Sequence, residues 1–107
     1  MWRLSVSKSR RVLLDLNNTE FQDNLLSLDN KEVRDVLSTL RKIRRLTWEE
    51  VYKDKGLNWE LIQTRSAPDG SRLYTVRVTQ KIRAVVCRQG EFMRFVSIHS
   101  DHDSAYH

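Results

Sequence analysis

Residues 71–99 read Ser71-Arg72-Leu73-Tyr74-Thr75-Val76-Arg77-Val78-Thr79, Gln80-Lys81, Ile82-Arg83-Ala84-Val85-Val86-Cys87-Arg88, Gln89-Gly90-Glu91 and Phe92-Met93-Arg94-Phe95-Val96-Ser97-Ile98-His99. In the first run Tyr74, Val76 and Val78 share one side of an extended chain, and Leu73, Thr75, Arg77 and Thr79 share the other. Two further runs rich in β-branched and aromatic residues follow, each after a short polar break. Three consecutive strands joined by short turns make an antiparallel meander. The register of the first hairpin stays open. A two-residue Gln80-Lys81 turn pairs Arg77 with Ala84 and sends Arg83 to the other face, whereas a bulge or longer turn changes the pairing. Gln80-Lys81 also lacks the Gly or Asn that two-residue turns favour.

Working outward, Ala67-Pro68-Asp69-Gly70 has the residues of a β-turn, and Trp59-Glu60-Leu61-Ile62-Gln63 reads as the strand before it. Upstream of Asn58 the period is helical. Phe21, Leu25 and Leu28 fall at i, i+4 and i+7, and Asp29 with Glu32 forms a capping box for a second helix. Val33, Val36, Leu37, Leu40 and Ile43 line one face of that helix, with Lys31, Arg34, Asp35, Arg41, Lys42 and Arg45 opposite. Thr47-Trp48-Glu49-Glu50 opens a short third helix, and Gly56 is placed to end it. Val12-Leu13-Leu14-Asp15-Leu16 suits either element, while Trp2 to Ser7 alternates like a strand. Helices followed by strands within one unit predict an α+β fold: a helical hairpin packed on a small twisted antiparallel sheet.

The 107 residues (12.7 kDa) predict a single domain over 1–107 with a radius of gyration of about 13 Å. An apolar fraction of 39% suffices for one core. No 20-residue apolar run is present, which excludes a membrane-spanning helix, and Met1 to Lys8 lacks a signal-like apolar stretch. Cys87 has no partner for an internal disulfide, so a reducing, cytoplasmic setting is expected. The net charge is +5. Residues 61–94 carry seven basic side chains (Arg65, Arg72, Arg77, Lys81, Arg83, Arg88 and Arg94) against Asp69 and Glu91, an excess equal to that of the whole chain. A polyanionic partner and a basic surface kept for solubility are both consistent with this.

Guanidinium forks bind phosphate bidentately, so Arg77 and Arg83 are candidates for a phosphate site, as well as for solvent-facing side chains. The segment His99-Ser100-Asp101-His102-Asp103-Ser104-Ala105-Tyr106-His107 gathers all three histidines. It is open to acid–base work or to a plain polar tail. Its spacing matches no strong zinc signature and no cysteine pair supports a metal, so no cofactor is expected. Glu60, between Trp59 and Leu61, is either a base with a raised pKa or the salt-bridge partner of an arginine. Cys87 alternates with Val85 and reads as a small buried residue. A glycine-rich phosphate loop and a G-x-S-x-G elbow are absent.

Thr47-Trp48-Glu49-Glu50-Val51-Tyr52-Lys53-Asp54-Lys55-Gly56-Leu57-Asn58-Trp59-Glu60, Leu73 to Val86, and His99 to Tyr106 together resemble the RelE/ParE superfamily of bacterial toxin–antitoxin toxins, over roughly residues 20–106. The resemblance implies two N-terminal helices against a small antiparallel sheet. It also implies a ribosome-dependent mRNA interferase: a metal-independent endoribonuclease in which the RNA 2′-hydroxyl attacks the adjacent phosphate and leaves a 2′,3′-cyclic phosphate. On that pattern Arg83, in Ile82-Arg83-Ala84-Val85-Val86, touches the scissile phosphate, and Arg77 is a second phosphate-side cation. Glu60 is the general base, either His102 or His99 the acid, and Tyr106 stacks on a base or orients the RNA. Arg65, Arg72, Lys81 and Arg88 are further RNA contacts. A cognate antitoxin covering the helices and the basic face is the implied protein partner, alongside ribosome and mRNA, with no membrane. The superfamily's other branch poisons DNA gyrase, and an inactive RNA- or antitoxin-binding module of the same fold is the third alternative.

Overall fold

A computed structural model of the chain describes residues 10–101. The strand expected at Trp2–Ser7 and the tail residues His102 and Tyr106 lie outside the described residues. In chain order the elements are β1 (Leu13–Asp15), α1 (Thr19–Ser27), α2 (Asn30–Arg44), α3 (Trp48–Lys53), β2 (Glu60–Ser66), β3 (Arg72–Arg77), β4 (Ile82–Gln89) and β5 (Phe92–Ser100). They form a five-stranded sheet in the order β1-β5-β4-β3-β2, with helices on one side. The fold is α+β, as the sequence predicts.

Each helix begins where a short polar side chain satisfies free N–H groups. The Phe21 N–H donates to Asn18 Oδ1 at 3.1 Å. Asp29 with Glu32, and Thr47 with Glu50, form reciprocal capping boxes at α2 and α3. Gly56 does not end α3. That helix stops at Lys53 with Asp54 as its C-cap, and the left-handed residue of the following turn is Asn58, at φ 49°. Gly56 serves by being small: a Cβ there would lie 3.1 Å from Lys42 Nζ and 3.2 Å from Asp54 Oδ1, crowding an ion pair of 2.9 Å.

The meander β2–β5 is antiparallel throughout. The ambiguous Val12–Leu16 run contributes β1, which adds to β5 in parallel, so the complete sheet is mixed. Parallel pairing follows from the connection: α1 to α3 and three strands intervene before β5 returns beside β1. The Val12 N–H donates to Leu46 O and the Leu13 N–H to Glu91 O, which anchors the start of that strand.

The main core lies between helices and sheet. Phe21, Val36, Leu40, Ile43 and Val51 meet Val76, Ile82, Ala84, Val86, Met93, Phe95 and Ile98. Phe21 and Phe95 pack with ring centroids 5.3 Å apart, and the Ile98 N–H donates to Asn24 Oδ1, so α1 is fixed on β5. On the far face a smaller cluster joins Leu73, Val85 and Cys87 to Ile62, Ala67 and Val96. The radius of gyration is 14.4 Å rather than about 13 Å. The difference reflects an elongated shape of 51 × 32 × 27 Å.

Candidate active site

The register of the β3–β4 hairpin decides where the arginines go. Its loop is three residues, Thr79–Lys81, closed by the Val78 N–H donating to Ile82 O at 2.9 Å. Arg77 therefore pairs directly with Arg83, Val76 with Ala84 and Thr75 with Val85. Cross-strand partners project from the same face, so both guanidinium stems leave the face opposite the helices. The two-residue turn would have separated them.

The β4–β5 ladder extends this row, because Arg83 pairs with His99 and Val85 with Ser97. Arg77, Arg83 and His99 thus stand side by side across three strands. In the neighbouring row Glu60 pairs with Thr75, which pairs with Val85, which pairs with Ser97. Glu60 Oε1 lies 3.8 Å from Arg83 Nη1. Ser97 Oγ is 2.9 Å from His99 Nε2.

A bulge in β5 puts His99 into this row. Val85 pairs with Ser97 but Val86 pairs with Phe95, which leaves Val96 as the extra residue. Phe95 faces the main core, whereas Ser97, at the same parity in the sequence, faces away from it. A regular strand would have turned Ser97 and His99 toward the helices along with Phe95. The sequence holds the signal: the core residues Met93, Phe95 and Ile98 are spaced by two and then by three.

Two guanidiniums on directly opposed residues repel one another across a ladder. The pair is tolerated because both side chains reach solvent and the Glu60 carboxylate offsets the Arg83 charge. The arrangement sets an exposed Arg83 and a half-buried Arg77 beside a carboxylate and an imidazole, suited to an oxyanion bearing more than one negative charge. Glu60 is 62% exposed in its side chain, and of the two roles open to it the ion pair with Arg83 is the one that forms. Burial pushes the Cys87 thiol up, as befits a packed, unreactive residue.

The remaining cations do not gather on one surface. Arg72 alternates with Leu73 and so leaves the other face, while exposed Arg65 lies on β2, opposite end strand to β1. Lys81 sits in the β3–β4 turn, near Arg83 in sequence but off the strand ladder. Arg88 is a structural clamp: its Nη1 donates to the Tyr52 hydroxyl at 2.8 Å, its Nε to Gly90 O at 2.7 Å, and its guanidinium lies 4.4 Å over the Trp48 ring. Trp48, Tyr52, Trp59 and Tyr74 continue that packing as a run of aromatic contacts. Arg94 lies between Asp15 and Asp69, at 3.9 and 3.8 Å. The charge excess of residues 61–94 therefore does not form one RNA-facing sheet surface, because period-two alternation divides those charges between both faces. Among the described residues, no group of three or more His, Cys, Asp or Glu is placed to hold a metal ion, and no helix is long and apolar enough to cross a membrane.

Fold and site together define a small α+β domain with an arginine–histidine row on the sheet face away from its helices. A crystal structure of a copper-bound mutant toxin from Helicobacter pylori is similar to it, with a TM-score of 0.50 at 16% identity, covering 86% of this chain and 97% of that one. No family model matches the sequence, and no curated protein matches it.

Proposed function

We propose that the chain is a RelE-like toxin: an endoribonuclease that cuts messenger RNA on the ribosome, stops translation, and is held in check by a cognate antitoxin. The observation that carries this reading is the alignment of Arg77, Arg83 and His99 in one row, with Glu60 3.8 Å from Arg83. The toxin of similar fold supports the toxin half of it. The sequence resemblance supports the nuclease half.

In this reaction the RNA 2′-hydroxyl attacks the neighbouring phosphorus. Glu60 takes the hydroxyl proton, the bond from phosphorus to the 5′-oxygen breaks, and His99 gives that oxygen a proton. Arg83 and Arg77 bind the phosphate oxygens and stabilise the charge that grows on them in the transition state. The products are a 2′,3′-cyclic phosphate and a free 5′-hydroxyl, with no metal in the scheme. Glu60, Arg83 and His99 are exposed at the surface, which suits a substrate positioned by the ribosome. Tyr106 and His102 belong to the segment that follows β5, which ends at Ser100, one residue past His99. The stacking role for Tyr106 follows from the resemblance.

Programmed ribosomes incubated with the purified protein test this reading. Cleavage of the message with a cyclic-phosphate end, lost in Arg83→Ala, is the expected result. Intact message together with trapped gyrase–DNA complexes would overturn it in favour of the gyrase-poison alternative.

A further inference from the structure

We propose that Ser97 is a positioning residue for His99, holding its ring by Nε2 so that Nδ1 is the nitrogen that exchanges protons with RNA. This rests on the nuclease reading for its functional consequence, but the contact itself does not.

Three observations carry it. Ser97 is 2% exposed, whereas His99 is exposed, so one end of the contact is fixed in the packed sheet and the other is at the surface. Ser97 Oγ and His99 Nε2 are 2.9 Å apart, a full hydrogen bond between residues two apart on one strand. The Val96 bulge then turns both side chains to the face that carries Arg83. A serine facing the satellite cluster of Leu73, Val85 and Cys87 is costly without a partner for its hydroxyl. His99 supplies that partner. An exposed histidine would otherwise sample several rotamers, and ordering it in advance removes that entropy from the catalytic step.

The proton inventory is simple. On this proposal the neutral ring carries its proton on Nε2, donating to Ser97 Oγ, with the Nδ1 lone pair open, because only a bond in this direction survives protonation of the ring. In the imidazolium the same bond persists and the Nδ1 proton is the one delivered to the leaving oxygen. Ser97 forms no covalent bond and need not change its own protonation.

The test uses the full-length protein with Ser97→Ala and Ser97→Thr, read by long-range ¹⁵N–¹H correlation of the His99 ring and by single-turnover cleavage. Wild type and Ser97→Thr are expected to show one Nε2–H tautomer, and Ser97→Ala a mixture. Ser97→Ala should lower the cleavage rate at saturating substrate on the order of tenfold, a part of the 10²–10⁴ that placed acid–base groups supply, with KM little changed. Ser97→Thr should recover the rate. A His99 spectrum identical in wild type and a folded Ser97→Ala would overturn the proposal, whatever the rates. A Ser97→Ala effect confined to KM or to thermal stability would also overturn it. If wild type cleaves no RNA, the nuclease reading fails, and the tautomer measurement still decides the Ser97–His99 contact.

Discussion

Arg83 stands directly opposite His99 in the β4–β5 ladder, and opposite Arg77 in the ladder on its other side. One strand position thus brings a cation next to an imidazole; on the proposed function the first would bind the phosphate and the second protonate the leaving group. Arg83 also faces Glu60 at 3.8 Å. Replacing it by Ala should cut the single-turnover rate on the order of 10²- to 10³-fold, the loss seen when one donor to a developing oxyanion is removed. The ion pair is solvent-exposed, with side chains 48% and 62% accessible, so stability should change by no more than about 1 kcal/mol in thermal unfolding. A large stability loss would instead identify Arg83 as structural.

Glu60→Gln keeps the shape and removes the proposed base. The cleavage rate is expected to fall on the order of 10²-fold or more at neutral pH. RNA binding, measured by fluorescence anisotropy, should hold or strengthen, because one negative charge has left a site for an anion. Weaker binding with an unchanged rate would show Glu60 to be a contact rather than a base.

How much of this was legible in the sequence follows from the kind of signal involved. Period-two alternation marked β3 and β4, and the Asp29–Glu32 and Thr47–Glu50 pairs marked two helix starts, because those signals are local. The parallel strand β1 was not legible, since three apolar-flanked residues carry no period and their partner lies about 80 positions away in β5 by the spacing of a crossover connection. The Arg77–Arg83 pairing hinged on one residue of turn length, which neither Gln80 nor Lys81 specifies. Ser97 carries no signal of its own, since simple alternation through Phe95 would turn it toward the helices and only the Val96 bulge reverses that. Arg88 looked like its neighbours in the charge count, but its role depends on Tyr52 and Trp48, which α3 brings from a distance.

Phe95 is the largest of the core residues on the strand that bears His99. It is 2% exposed and packs on Phe21 at 5.3 Å. Phe95→Ala should cost about 3–5 kcal/mol in denaturant unfolding. Loss of α1 packing should also loosen the His99 end of β5, so cleavage is expected to fall even at temperatures where the variant stays folded. A cost below about 1 kcal/mol would contradict the placement of this residue.

Asp54 gives the fold an acid-sensitive joint between α2 and the α3–β2 turn. Burial works to raise its pKa, but it is outweighed by the Lys42 ammonium at 2.9 Å and the backbone N–H groups of Leu57 and Gly56, which together hold the carboxyl below the usual range. A carboxyl with a lower pKa folded than unfolded adds stability above its unfolded value of about 3.9, and that contribution is lost as pH falls through the folded value. Asp54→Asn should therefore be less stable than wild type at pH 7. The difference should shrink as pH is taken below 4 in chemical unfolding. A gap that stays constant with pH would contradict the ion pair.

The central claim is that the row formed by Arg77, Arg83 and His99 cleaves RNA on the ribosome. The most direct measurement is primer extension on a defined message held in programmed ribosomes, comparing wild type with Arg83→Ala and His99→Ala at equal folded concentration. A discrete cut within the ribosome-held codon by wild type, absent without ribosomes and reduced at least 10²-fold in both variants, is the predicted result. Full-length message with wild type, or cleavage by both variants at the wild-type rate, would contradict it.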